Sequence, residues 1–135
     1  MNEKRVKLPF FEIGPKSYLY GDDILDLAKA ADAASEKYGV DIIFTTPIVD
    51  IRRVREATKN IHVFAPHMDA ITPGRGLADI LPESLVAAGA DGVMLNHCEK
   101  PLSFELCWAT SATMVLSPLG TSIADSIMPS PRSIF

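Results

Sequence analysis

Residues 80–99 read ILPESLVAAGADGVMLNHCE, and this stretch decides the fold. Pro82 suits the first turn of a helix, where its missing N–H is not needed, and Gly89 suits the stop. The spacing predicts a helix over 80–88. A short apolar run, DGVML (91–95), follows and reads as a strand. It ends directly on the polar group Asn96-His97-Cys98-Glu99. Helix, glycine stop, apolar strand, then reactive side chains is the order expected of a parallel α/β unit.

The same order repeats towards the N-terminus. LPFFEI (8–13) reads as a first strand, broken by Gly14-Pro15-Lys16. Asp22 or Asp23 is placed to cap a helix in which Ile24, Leu27, Ala28, Ala31, Ala34 and Tyr38 recur at three- and four-residue spacing, with Gly39 as its end. VDIIF (40–44) reads as a second strand and Thr45-Thr46-Pro47 as a loop. Asp50 is placed to cap a second helix with Ile51, Val54 and Thr58 on one face. IHVFA (61–65) reads as a third strand, and a Gly/Pro-rich loop runs from Pro66 to Leu77. The resulting βαβαβαβ order predicts a parallel sheet with helical crossovers. In such sheets ligands bind at the C-terminal ends of the strands. Lys16, Thr45, His67 and the group 96–99 all follow strand ends.

The chain has 135 residues, 47% hydrophobic and 22% charged, which fits one globular core. A net charge of −4 gives no basic field, so no nucleic-acid partner is expected. Residues 1–16 hold no apolar run of signal-peptide length, and two cysteines, Cys98 and Cys107, make no disulfide framework. A cytoplasmic location is expected. Composition breaks near residue 103. Only three of the 30 charged residues fall in 103–135, against ten of the 17 Ser and Thr. The uncharged run 106–124 approaches membrane-span length, but Pro118, Gly120 and six Ser or Thr interrupt it, so no membrane span is expected. The expected organisation is a barrel-type unit over 1–102 and a low-charge, atypical tail over 103–135, non-native or disordered.

Lys16, behind a Gly-Pro, can reach over the rim to an anion, though an ordinary solvated lysine has the same signature. His97 is placed for proton transfer or carbonyl polarisation, and Glu99 to pair with Lys16 across neighbouring loops. A structural histidine beside an exposed glutamate fits the same residues. His67, Asp69 and His97 allow a metal-dependent hydrolase, but H-x-D and H-C-x-E are weak metal spacings. His62, inside a strand, reads as a satisfied histidine. Cys98 is a weak nucleophile candidate, and Gly74-Arg75-Gly76 a weak phosphate cradle that a glycine-requiring loop explains as well.

FFEIGPK (10–16) resembles the first strand of the triose-phosphate isomerase family and its following Asn-x-Lys. GRGLADILPESLVAAGADGVMLNHCEKPL (74–102) resembles that family's third helix, fourth strand and His-Ser-Glu-Arg signature. The likeness covers about residues 8–102 and implies the N-terminal half of a TIM (β/α)8 barrel. It implies that Lys16 binds the substrate phosphate, that His97 is the neutral electrophile polarising the carbonyl, and that Glu99 holds Lys16 or His97 in place. Gly14 stands where the family has a substrate-binding Asn. The implied reaction is aldose–ketose isomerisation of a small sugar phosphate through an enediolate, in carbohydrate metabolism such as glycolysis, with no cofactor and no metal. Loop 66–77 matches the family's loop into a partner subunit, which implies a homodimer. Gly14, Pro15, Pro66-His67, Leu77-Ala78-Asp79 and Cys98 all depart from the family pattern, and resemble more a branch acting on tetrulose phosphates. The family's catalytic glutamate, lid and phosphate-binding glycines match nothing in this sequence. The expectation is therefore a truncated chain, weakly active or inactive by itself. The alternative is a non-catalytic half-barrel fragment that binds a phosphosugar or a partner subunit.

Overall fold

The computed structural model describes residues 5–115, with backbone alone for 110–115. Four parallel strands lie in sequence order: β1 (Phe10–Ile13), β2 (Asp41–Thr45), β3 (His62–Ala65) and β4 (Gly92–Val93). Helices α1 (Gly21–Tyr38), α2 (Ile51–Ala57) and α3 (Pro82–Ala88) make the crossovers, and α4 (Phe104–Val115) follows β4. Parallel strands in sequential order, each joined by a helix, are the expected half-barrel arrangement.

Strand alternation divides the sheet into two faces. Ile42, Phe44, Val63 and Ala65 pack with Ile24, Ala28, Ala31, Ile51, Val54 and Leu85 of the helices in one core cluster. The other face carries cross-strand rows set by the register. Glu12 pairs with Ile43 and Ile43 with His62, while Thr45 pairs with Phe64 and Phe64 with Gly92. A Cβ on Gly92 would lie 2.5 Å from the Phe64 ring, so the glycine leaves room for that ring against β4.

Element ends differ from the sequence reading for identifiable reasons. Pro9 has no N–H to pair, and the first strand starts at Phe10. The fourth strand is only Gly92–Val93, yet Asp91 N–H and Met94 N–H still donate to β3 carbonyls at 2.7 and 2.8 Å. Asp22 and Asp23 do not cap α1. They sit in its first turn, where a negative charge favours the helix dipole. The acceptor at that helix end is instead Asp50, whose Oδ2 takes Gly21 N–H at 3.1 Å. Asp50 precedes α2 but makes no side-chain cap to it, because its carboxylate is engaged by Gly21 and Arg53. The α1 stripe ends at buried Ser35, and Tyr38 is exposed. Gly39 closes α1 at φ 63, donating to Ser35 O at 2.9 Å.

Three carboxylates pin the N-terminal ends of the strands. Asp32 accepts the backbone N–H groups of Lys59, Asn60 and Ile61. Asp41 Oδ2 meets His62 Nε2 at 3.2 Å, so this buried strand histidine is paired as its position suggests. Asp91 accepts from Arg55 and from Val63 N–H, both at 2.9 Å. The low-charge segment that the sequence leaves without an element begins as a helix, α4, with Phe104 and Trp108 exposed. Residues 116–135, and with them the last nine residues of the uncharged run, lie outside the described residues. Among the described residues no helix is long and apolar enough to cross a membrane.

Candidate functional site

The turns at the C-terminal ends of the four strands enclose a cleft of about 460 Å³. Its lining includes Gly14 and Lys16 after β1, Thr45 and Thr46 at the end of β2, and Pro66 and His67 after β3. Met94, His97, Glu99 and Lys100 supply the β4 side. Segments far apart in sequence therefore converge where a parallel sheet places ligands.

Lys16 and Glu99 meet at 2.9 Å. This is the pairing across loops that the sequence suggested, and the two loops follow strands that are not adjacent in the sheet. β1 and β4 are the two ends of the sheet, and strands spaced about 4.8 Å apart would put them about 14 Å apart if flat. The bridge thus spans the cleft from wall to wall. The Glu99 hydrogen bond and charge raise the Lys16 pKa above its ordinary value, with burial opposing weakly. The same bond and the Lys16 charge lower that of Glu99. Both groups are exposed, so the bridge is a readily opened contact rather than a stabilising one.

Lys16 holds φ 56 and Asn96 φ 55, in the left-handed region. For a lysine this conformation costs about 1 kcal/mol or more. Asn96 fits it better, and its Oδ1 accepts Leu102 N–H at 2.9 Å. The two strained positions lie on opposite walls of the cleft, each just ahead of or at a candidate residue.

His97 is one-third exposed. Its Nδ1 accepts the Glu99 backbone N–H at 3.2 Å. An accepting Nδ1 carries no proton, which assigns the proton of the neutral ring to Nε2. The Glu99 carboxylate is 3.8 Å from Nδ1, too far to compete with that bond. Cys98 is exposed, with Sγ 3.9 Å from the same Nδ1.

His67 and Asp69 form a separate pair. Asp69 Oδ1 meets His67 Nε2 at 3.0 Å, and Oδ2 accepts Ile80 N–H at 2.7 Å. Asp69 thereby ties both ends of the long loop together. Burial raises its pKa, but the Ile80 and His67 hydrogen bonds outweigh burial and the net shift is downward. Among the described residues no three His, Cys, Asp or Glu side chains are grouped to hold a metal ion, so His67, Asp69 and His97 do not converge. Gly74 and Gly76 have φ 145 and 95, a backbone requirement that accounts for both glycines.

Sequence reasoning passed over Glu12. Its Oε1 accepts Thr45 Oγ1 at 3.0 Å on the cleft floor. The signal was available: Glu12 is the single charge in an otherwise apolar strand. It also passed over Thr46, which is buried, with a hydroxyl that has no hydrogen-bond partner among the described residues.

A parallel βα sheet whose strand ends gather a lysine, a histidine and a glutamate around one cleft defines a half TIM barrel with its ligand rim. Comparison with known proteins agrees. The sequence model of the family described as triosephosphate isomerase matches residues 15–114. The chain is 41% identical over 86 residues to a triosephosphate isomerase of Methanopyrus kandleri, covering 63% of this chain and 38% of that protein. It is 36% identical over 93 residues to one from Methanobrevibacter smithii, covering 67% and 41%. It is 34% identical over 102 residues to one from Sulfolobus acidocaldarius, covering 74% and 44%. The chain belongs to the triosephosphate isomerase family, aligning with its N-terminal region. The match takes in 38% to 44% of these relatives' length.

Proposed function

We propose that this chain carries the phosphate-binding and carbonyl-polarising part of a sugar-phosphate isomerase site. Lys16 receives the substrate phosphate, exchanging its exposed Glu99 partner for the incoming dianion. His97 donates its Nε2–H to the carbonyl oxygen, stabilising charge as the enediolate forms. Glu99 positions both: its side chain meets Lys16 and its backbone N–H fixes the His97 tautomer. That double contact is the observation carrying the reading. Gly14, without a side chain, lines the cleft beside Lys16. No metal or organic cofactor has a part in these steps.

The unit over 1–102 is read as the barrel portion and 103–135 as a separate tail. Proton abstraction next to the carbonyl also needs a carboxylate base, typically contributing about 10²–10⁴-fold. By family resemblance that base lies outside the matched segments, so this chain alone is weakly active or inactive. A homodimer through loop 66–77, in the cytoplasm, completes the reading. The full exposure of Leu77 at the end of that loop supports the contact. The alternative, a non-catalytic half-barrel that binds a phosphosugar or a partner subunit, is favoured by the end strands β1 and β4 of the described sheet.

Inorganic phosphate titrated into the full chain by NMR tests the shared core of both readings. Binding that Lys16→Ala abolishes is expected, whereas binding indifferent to Lys16 overturns the phosphate role. Triose- and tetrulose-phosphate turnover by the same chain then separates catalysis from binding alone.

A further inference from the structure

The cleft holds a carboxylate that its phosphate-binding role does not explain. Glu12 lies in β1, on the sheet face opposite the helices, in one row with Ile43 and His62. Inward positions of barrel strands are mostly filled by branched apolar side chains. Glu12 instead extends an exposed carboxylate along the cleft. Close to an anion site this charge repels the ligand, so it is unfavourable there unless it binds something. The hydrogen bond from Thr45 Oγ1 to its Oε1 at 3.0 Å does little for stability at an exposed position, but it fixes where the carboxylate points.

Gly14 completes the arrangement. A Cβ at position 14 would lie 2.8 Å from Glu12 Oε1. The carboxylate thus occupies space that any side chain at 14 would contest. Two residues on, Lys16 offers the phosphate contact. The buried Thr46 also lines the cleft, and its hydroxyl has no partner among the described residues. An oriented acceptor and an unsatisfied hydroxyl, one short turn from a phosphate-binding lysine, suit a ligand with hydroxyl groups beyond its phosphate end.

We propose that Glu12 is a specificity-determining residue, which accepts a hydrogen bond from a hydroxyl of a polyhydroxylated phosphosugar and so selects that ligand over shorter phosphates. Gly14 is the positioning residue that makes room for it. This rests on the phosphosugar reading of the cleft and adds the substrate class.

The test measures dissociation constants of the full chain for two probes, inorganic phosphate and erythritol 4-phosphate. The readout is the ratio of the two affinities, because removing a carboxylate near an anion site tightens both ligands together. Glu12→Gln keeps the shape and the Thr45 contact but weakens the acceptor. It should lower the preference for the polyol phosphate about ten-fold. Gly14→Ala, which displaces the carboxylate without altering it, should lower the same ratio in the same direction. Lys16→Ala should weaken both probes and leave the ratio unchanged. If both Glu12→Gln and Gly14→Ala leave the ratio unchanged while Lys16→Ala still weakens binding, the Glu12 role is overturned and the phosphate reading stands. If neither probe binds the unaltered chain, both are overturned.

Discussion

Asp32→Ala removes the acceptor that anchors the chain's entry into β3. One oxygen accepts N–H groups from Lys59, Asn60 and Ile61 at 2.9, 2.6 and 3.1 Å. The other accepts the Asn60 amide at 3.1 Å. A hydrogen bond to a charged group contributes about 1.5–3 kcal/mol. The bonds share one half-buried carboxylate and water can replace part of the set, so they do not add. The net loss is about 2–3 kcal/mol, or a fall in Tm of about 5–15 °C for a chain of this size. The pH dependence follows from the same contacts. Burial raises the Asp32 pKa, but the backbone and side-chain hydrogen bonds outweigh it, and the net shift is downward from the ordinary carboxylate value. A depressed carboxylate stabilises fully above its unfolded pKa and loses that contribution as pH falls through the folded value. The difference in stability between the chain and Asp32→Ala should therefore be full at neutral pH and shrink below about pH 4. Urea unfolding followed by circular dichroism across that range measures both effects. A variant that melts within about 1 °C of the unaltered chain, or a difference that widens in acid, refutes the reasoning.

Three further outcomes are expected. Gly92→Ala drives a methyl into the Phe64 ring, which lies within 2.5 Å of that position; the urea midpoint should fall by the equivalent of about 1–3 kcal/mol, and an unchanged midpoint would show that the ring moves freely. Asp69→Ala frees Ile80 N–H and His67 together, so amide exchange across 70–80 should quicken while exchange in α1 stays as it was; uniform quickening would point to global loss instead. Glu99→Gln removes the partner that raises the Lys16 pKa. More Lys16 is then neutral at a given pH, and acetic anhydride should modify it faster, as read by peptide mass; an equal or slower rate contradicts the bridge.

The fold was legible because helices and strands in this chain carry their own punctuation. Pro82 and Gly89 bound α3, and Gly39 ends α1, by local stereochemistry that needs no partner. What was not legible depends on residues distant in sequence. Asp50 reads as a cap for the helix beside it, yet its carboxylate serves Gly21, at the start of a helix 29 positions earlier. The site divides in the same way. The Lys16–Glu99 partnership could be suspected from strand ends alone, but its span across the whole sheet follows from the strand order. Glu12 stood out as the single charge of its strand, but sequence alone does not say which way that charge faces. Only the register, which sets it beside Ile43 and within reach of Thr45, turns it towards the cleft.

The two ends of the sheet use similar residues to opposite effect. At the N-terminal ends Asp32, Asp41 and Asp91 are each held by backbone N–H groups, histidine or arginine, and are committed to the fold. At the C-terminal ends Lys16 and Glu99 are exposed, Thr46 has no partner among the described residues, and Lys16 and Asn96 hold strained backbones. Groups satisfied inside the fold stabilise it; groups left accessible or strained remain available to a ligand. The two ends should therefore dissociate under mutation. Asp32→Ala should lower the melting temperature and, well below it, leave phosphate affinity unchanged. Lys16→Ala should abolish phosphate binding and leave the melt where it was, since alanine keeps the same Cβ and backbone strain and no buried contact is removed. Were Lys16→Ala to destabilise the chain as much as Asp32→Ala does, the rim lysine would be a structural residue and the cleft would lose its claim to be a binding site.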